Sequence, residues 1–283
     1  MMGAHHAACG AAAWIALTSD AVIDTVIPGL NVPFHMQMGF GLFDVSPVGV
    51  VSGALLTAGA ALLPDADHHN ATIAHSMPPV SNAIVGGIAA VSGGHRHGTH
   101  SFIGIAFFTL MAWLAGFVTP NSIGSLFGNP VADGFWGNLQ IGPAIMSMIL
   151  IGFALHTLKF IPHQAKKSGW ILSAIISALI LFLAPHEQGW FPLAVGIGVI
   201  VHILGDMMTT GGCNLVWPAT IKPPKSIAHL PVISWCWKPN GYLAVPVLGN
   251  AGSFREWLFL IPLSAYAIYG ICAGVVNGVQ GMF

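Results

Sequence analysis

Apolar residues in this chain gather into long blocks separated by short polar stretches, with little of the strict alternation that marks half-buried strands. Seven blocks are long enough, or nearly so, to cross a bilayer: Ala7–Leu30, Val48–Leu63, Phe102–Val118, Gly142–Ile161, Gly169–Ala184, Trp190–Met208 and Trp257–Val276. The second and fifth are short and would need local thinning or help from flanking residues. An eighth block, Val80–Ser92, is shorter still and rich in small residues, which predicts a re-entrant or surface helix. The expected fold is all-α: a polytopic transmembrane helix bundle of about seven spans plus that re-entrant helix, forming a single membrane domain over residues 1–283. The long connection 209–255 carries Trp217, Trp235, Trp237 and six prolines. Aromatics of this kind favour the headgroup level, so an interfacial anchor is expected there, with a substrate lid as the other reading. The last span is expected at 257–276.

Composition sharpens this picture. Only 6% of residues are charged, 55% are hydrophobic and the mean hydropathy is +0.77. A soluble domain carries about 25% charged residues, so these few cannot cover a water-facing surface. The net charge of −1 lacks the basic footprint of a nucleic-acid binder. Four scattered cysteines, without C-x-x-C spacing, predict neither a disulfide framework nor a thiolate zinc site. The first block has no basic residues before it and no evident cleavage site, so it is expected to be retained as a span.

The eight basic residues set the expected orientation. Lys159, Lys166 and Lys167 bracket the turn after the fourth span, and Lys222 to Arg255 follow the sixth. Both regions then lie on one side, which the positive-inside rule makes cytoplasmic. With Val80–Ser92 not crossing, four polar sites fall on that same face: His5 and His6, Pro64–His69, His95–His100 and His202–Asp206. Asp20 and Asp24 fall in the outer half of the first span and offer the one polar path across.

Those clusters carry the candidate chemistry. His202 and Asp206 stand one helical turn apart on one face, an imidazole–carboxylate pair suited to zinc, manganese or iron. A hydrogen-bonded pair at a helix end would look the same. Asp65 and Asp67 repel one another unless a cation or proton lies between them, and His68 follows directly. His95, Arg96, His97 and His100 fall within six residues among Gly93, Gly94 and Gly98; Thr99 or Ser101 would cap the third span. Arg96 beside a helix start suits an anionic group, although it also fits an ordinary cytoplasmic-side charge. His156 and His163 are expected to be packing or interfacial residues.

Taken in order, these motifs resemble the YdjM-like family of bacterial inner-membrane metal-dependent hydrolases. The matching residues are His6 with Gly10, then Pro64-Asp65-Ala66-Asp67-His68, then His95-Arg96-His97-Gly98-Thr99-His100-Ser101. His202 and Asp206 follow, with Thr209 or Thr210, Gly211 or Gly212, and Trp217-Pro218. The resemblance runs from residue 3 to 218. It departs at Asn70, near which a serine often follows the P-D-x-D-H run.

The resemblance implies a His/Asp metal centre and hydrolytic activity. His6, Asp65, Asp67, His68, His95, His100, His202 and Asp206 are the expected metal-site residues. They are too many for one tetrahedral zinc, so either two ions share a carboxylate or some of them orient the ligands. Zinc is the first expectation, one or two ions, with manganese as the alternative. A water activated at the metal would attack a phosphoester or ester, with Asp67 as general base and Arg96 stabilising the anion. A lipid or lipid-linked substrate fits a site at the cytoplasmic headgroup level of the inner membrane. A divalent-cation transporter or metal-binding membrane protein is the competing class, because intramembrane His and Asp also mark ion pathways.

Overall fold

The computed structural model describes residues 1–20, 22–27, 29–68, 70–75, 80–129, 134–161, 166–183 and 188–280; His69 and His163 lie outside them. The chain opens with α1 (Gly3–Thr18), followed by β1 (Val22–Ile27), β2 (Val32–Gln37) and α2 (Pro47–Ala60). Short 3-10 turns at Leu63–Asp67 and Thr72–His75 lead to α3 (Val80–Ser92). Another such turn, Gly98–His100, precedes α4 (Phe102–Ala115) and α5 (Pro120–Leu126). Then come α6 (Ile141–Thr157), α7 (Lys166–Leu183), α8 (Phe191–Met207), α9 (Pro231–Cys236) and α10 (Phe254–Gln280).

Helix α2 is the axis of the bundle. Ser46 caps its start by accepting a hydrogen bond from Gly49 N at 3.2 Å, and Pro47 occupies a first-turn position where no N–H is needed. Its small residues let neighbours approach at backbone range. A Cβ on Gly59 would sit 2.0 Å from the Leu150 carbonyl oxygen of α6, and one on Gly10 of α1 would sit 2.6 Å from the Thr57 carbonyl oxygen. Such small-residue crossings replace the hydrophobic drive that lipid cannot supply between helices. Helices α1, α6, α8 and α10 therefore surround α2, and Trp14, Ile15, Leu56, Leu150, Ile151 and Val195 fill the interior.

The outer surface is apolar. Phe107, Leu110 and Leu114 of α4, Ile171, Ile175 and Leu179 of α7, and Leu258, Ile261 and Ile268 of α10 all face outward. Contiguous apolar surface of this extent needs lipid around it. Among the described residues, two helical segments are long and apolar enough to cross a membrane, Pro47–Asp67 and Phe254–Gln280. A third span results if α4 and α5, bent by 84° at their junction, count as one. The stretches Ile141–Thr157, Ser168–Leu183 and Phe191–Met207 are apolar but shorter. Seventeen residues of helix rise about 26 Å, a little under the roughly 30 Å of hydrocarbon. Membrane-spanning helices are thus present, and among the described residues two to three have full spanning length.

The first expected span needs correcting. Helix α1 ends at Thr18, and the β-branched run Val22–Ile27 pairs with Val32–Gln37 as an antiparallel hairpin. The next segment docks onto the α1 C-terminus: Phe40 N donates to Ala16 O at 2.7 Å and Leu42 N to Leu17 O at 2.8 Å. These bonds satisfy carbonyls that a helix end leaves open. Asp24 accordingly sits on an exposed strand, 3.5 Å from His35, while the exposed Asp20 lines a cavity with Thr18 of α1, Val50 of α2 and Gly270, Gly274 and Asn277 of α10. Helix α3 makes its main contacts with the 3-10 turns at Leu63–Asp67 and Thr72–His75, beside the bundle end.

Candidate metal centre

One end of the bundle gathers the start of α1, the turn after α2, the start of α4 and the end of α8. The polar clusters meet there, as their predicted common face requires. Among the described residues, two groups of three candidate ligands form: His6 with His202 and Asp206, all buried, and Asp65 with His95 and His100. Within each, the donor atoms lie within 4.8 Å of one another.

The two groups meet at His100 and His202, whose Nε2 atoms are 3.1 Å apart. His202 Nδ1 lies 2.7 Å from Ala61 O, a group that only accepts, so Nδ1 carries the proton and Nε2 presents a lone pair. His100 Nδ1 lies 3.0 Å from Thr99 Oγ1 and 3.3 Å from Asp67 Oδ2. Thr99 gives its own proton to Asp67 at 2.6 Å, so His100 Nδ1 must also donate and its Nε2 is likewise a lone pair. Two lone pairs facing at this distance repel unless a cation lies between them. Carboxylate oxygens flank both. Asp206 Oδ2 is 3.5 Å from His100 Nε2 and 3.9 Å from His202 Nε2. Asp65 Oδ1 is 4.0 and 3.7 Å from the same atoms. Zinc–ligand bonds of about 2.0–2.1 Å give tetrahedral edges of about 3.3 Å, close to these spacings. The residues present therefore could hold a divalent ion through His100, His202 and Asp206, with Asp65 beside its open side.

His6 completes the inner group. Its ring stacks on His202 at 3.7 Å between centroids, and its Nε2 is 3.3 Å from Asp206 Oδ1. The terminal ammonium of Met1 also reaches that oxygen.

Asp67, expected as ligand and general base, is placed differently. Its buried carboxylate accepts from His95 Nδ1 at 2.9 Å, Arg96 N at 3.1 Å and Thr99 Oγ1, and faces His100 Nδ1. With both oxygens engaged it stands behind the histidines and fixes their tautomers, the outer-shell role of a carboxylate behind a ligating imidazole. His68 belongs to neither ligand group; its ring edges against His95 and its Nδ1 accepts from Asn70 N at 3.2 Å. Burial pulls the His95 imidazole down, but its bond to Asp67 and the nearby carboxylates outweigh this, leaving its pKa above the ordinary value.

Arg96, expected to grip an anion, forms a fork with Asp206: Nε to Oδ2 and Nη2 to Oδ1, each at 3.0 Å. Its backbone adopts φ +65°, held by Asp67 on its N–H and by Asn214 N donating to its carbonyl at 3.1 Å. Non-glycine residues in this region persist only where surroundings over-determine them. The connection after α8 supplies the bracing. A Cβ on Gly211 would sit 1.8 Å from Arg96 Nη1, so any other residue there would displace the guanidinium from its present position. Tyr242 donates to His95 O at 3.4 Å and edges against the His97 ring. The stretch 209–255 is thus a brace over the site, although Val232 and Trp235 on α9 remain exposed.

Ser101 caps α4, accepting from Gly104 N at 3.2 Å, which leaves Thr99 free to serve Asp67. His156 packs against Trp170 within the bundle. Sequence reasoning missed Glu256, fully buried at the start of α10 and bonded to His5 Nδ1. The signal was available: Glu256 is one of only two glutamates in the chain, and it opens an apolar helix.

Comparison with curated proteins and with solved structures returns no match. The model of the YdjM inner membrane protein family matches residues 1–159 and 168–277, extending the likeness well past Pro218 into the last helix. With nearly the whole chain covered, and with its polar motifs meeting at one end of an apolar bundle, this protein belongs to that family of inner membrane proteins.

Proposed function

We propose that this protein is a membrane-embedded, metal-dependent hydrolase that cleaves a phosphoester or ester of a lipid or lipid-linked substrate at the cytoplasmic face. The observation that carries the reading is the opposition of the His100 and His202 Nε2 lone pairs at 3.1 Å between two carboxylates. A divalent ion held there, zinc first and manganese second, supplies Lewis acidity toward the scissile group and toward water.

The chain's own residues do the rest. Asp67 and the Ala61 carbonyl hold His100 and His202 in the tautomers that point Nε2 inward. Arg96 balances the charge of Asp206 and, at the edge of the site, lies within reach of an incoming anion. Asp65 is the carboxylate open to entry, its side chain 23% exposed, and so replaces Asp67 as the candidate to take the proton of the attacking water. The partly exposed His95 stands on the same side. A site at helix ends of a bundle with an apolar outer surface favours a substrate that stays in the membrane.

Against the transport alternative, Asp24 lies exposed on the hairpin rather than within a helical span. The test uses detergent-purified protein beside Asp206→Asn, assayed with bis(p-nitrophenyl) phosphate and with phospholipid vesicles, before and after metal stripping and zinc return. Hydrolysis that follows the zinc and is absent from the variant is expected. Stoichiometric metal with no hydrolysis, together with zinc uptake by proteoliposomes, would overturn the reading in favour of transport.

A further inference from the structure

The ring of histidines is unevenly supported. His100 is oriented by Asp67 and Thr99, His202 by the Ala61 carbonyl and His95 by Asp67. His6 has no such partner: its Nδ1 is buried and makes no hydrogen bond among the described residues. An imidazole of the inner candidate group without an orienting bond needs another source of fixed direction.

That source is the first turn of α1. Its N-cap residue, Met2, makes no side-chain cap, so the free N–H groups of the helix start need an acceptor from elsewhere. Glu256 provides one from the opposite end of the sequence. It accepts from Met2 N at 3.0 Å and from His5 Nδ1 through Oε1, and from Gly252 N at 2.7 Å through Oε2. Ser253 Oγ accepts from Glu256 N at 3.3 Å, which fixes the start of α10 in turn. The carboxylate is fully buried, a place where charge survives only with this density of partners. A negative group at a helix N-terminus also meets the favourable end of the helix dipole. His5 and His6 are adjacent on that turn, so clamping one sets the direction from which the other leaves the helix.

We propose that Glu256, acting through His5 and the first turn of α1, is a positioning residue that aims His6 at Asp206 and His202. The inference rests on the metal reading above. It makes α10, which carries none of the motifs, part of the centre.

The test is cobalt(II) titration of the detergent-purified protein, followed by the visible absorption of the bound ion. Glu256→Gln keeps the side-chain volume and removes the charge. It is expected to weaken cobalt binding about 10–100-fold, as loss of outer-shell support does, and to alter the band shape. Glu256→Asp should restore part of the affinity. In a His6→Ala background, Glu256→Gln should cost nothing further, because residues acting as one unit are non-additive. Should Glu256→Gln fail to accumulate, His5→Ala breaks the same link from the α1 side and carries the same expectation. Wild-type affinity and spectrum in these variants, or a loss that adds in full to that of His6→Ala, would overturn the proposal while leaving the metal centre standing. Wild type that takes up no more cobalt than His202→Ala would overturn both.

Discussion

The two ends of the bundle hold the same residue types in opposite conditions. At the hairpin end, Asp24 and His35 face each other across the two strands at 3.5 Å, with side chains 77% and 69% exposed. At the other end, Asp206 and His202 are 2% and 0% exposed, and Asp206 also meets His6, His100 and Arg96. Water solvates the first pair whether or not they touch, so little depends on it. The second set has lost its water, so each lone pair and each charge must find a partner in the protein or an ion. Burial, rather than the identity of the residues, turns an Asp–His pair into a site.

Four experiments can break or sharpen that contrast. The largest effect is expected from His202→Ala and Asp206→Ala: zinc measured by elemental analysis should fall from near-stoichiometric to background in both. Retention of metal in either variant would remove the buried end's claim to be a centre. Next, Asp67→Asn should weaken zinc about 10–100-fold, since the amide no longer accepts from His95 and His100 as a carboxylate does; a competition titration against a chelator would show it. The third experiment separates stability from chemistry at the hairpin end. A Cβ on Gly39 would sit 2.3 Å from Ser19 O, so Gly39→Ala should pry the segment after β2 from the α1 C-terminus. The expected cost is about 1–3 kcal/mol, read as a lower Tm in detergent, with zinc affinity unchanged. Coupled loss of zinc would show that the two ends are not independent. Last, Asp24→Ala should leave both Tm and zinc content at wild-type values, because exposed pairs of this kind contribute little.

Much of the site could be read along the chain because its ligands come in short motifs at helix ends. Asp65, His100, His202 and Asp206 converge at one end of the bundle, and His6 joins them from the start of α1. Their individual roles could not be read in the same way. Asp67 looks as ligand-like as Asp65 in sequence, yet a two-residue offset in a 3-10 turn sends its carboxylate behind the histidines. Arg96 read as an anion grip because nothing local shows that it reaches 110 residues ahead to Asp206. The hairpin was hidden for a different reason. Val22–Ile27 follows α1 closely enough to read as its continuation, although its β-branched residues and its pairing with Val32–Gln37 both favour extended backbone there.

The sequence by itself determined the solvent and which residues are available for chemistry. Too few charges to face water require lipid, and scarce polar residues concentrated in four motifs require a common purpose. Tertiary structure decided which of those residues touch. The backbone-range crossings at Gly10 and Gly59 bring α1, α2 and α6 together and help set how far each helix end projects. The clamp of Glu256 on the first turn of α1 spans 254 positions between Met2 and its partner, a relation no local pattern encodes. Hydrophobic periodicity is a property of neighbours in sequence, whereas the direction of a lone pair depends on the partner behind the ring, and that partner is chosen by packing.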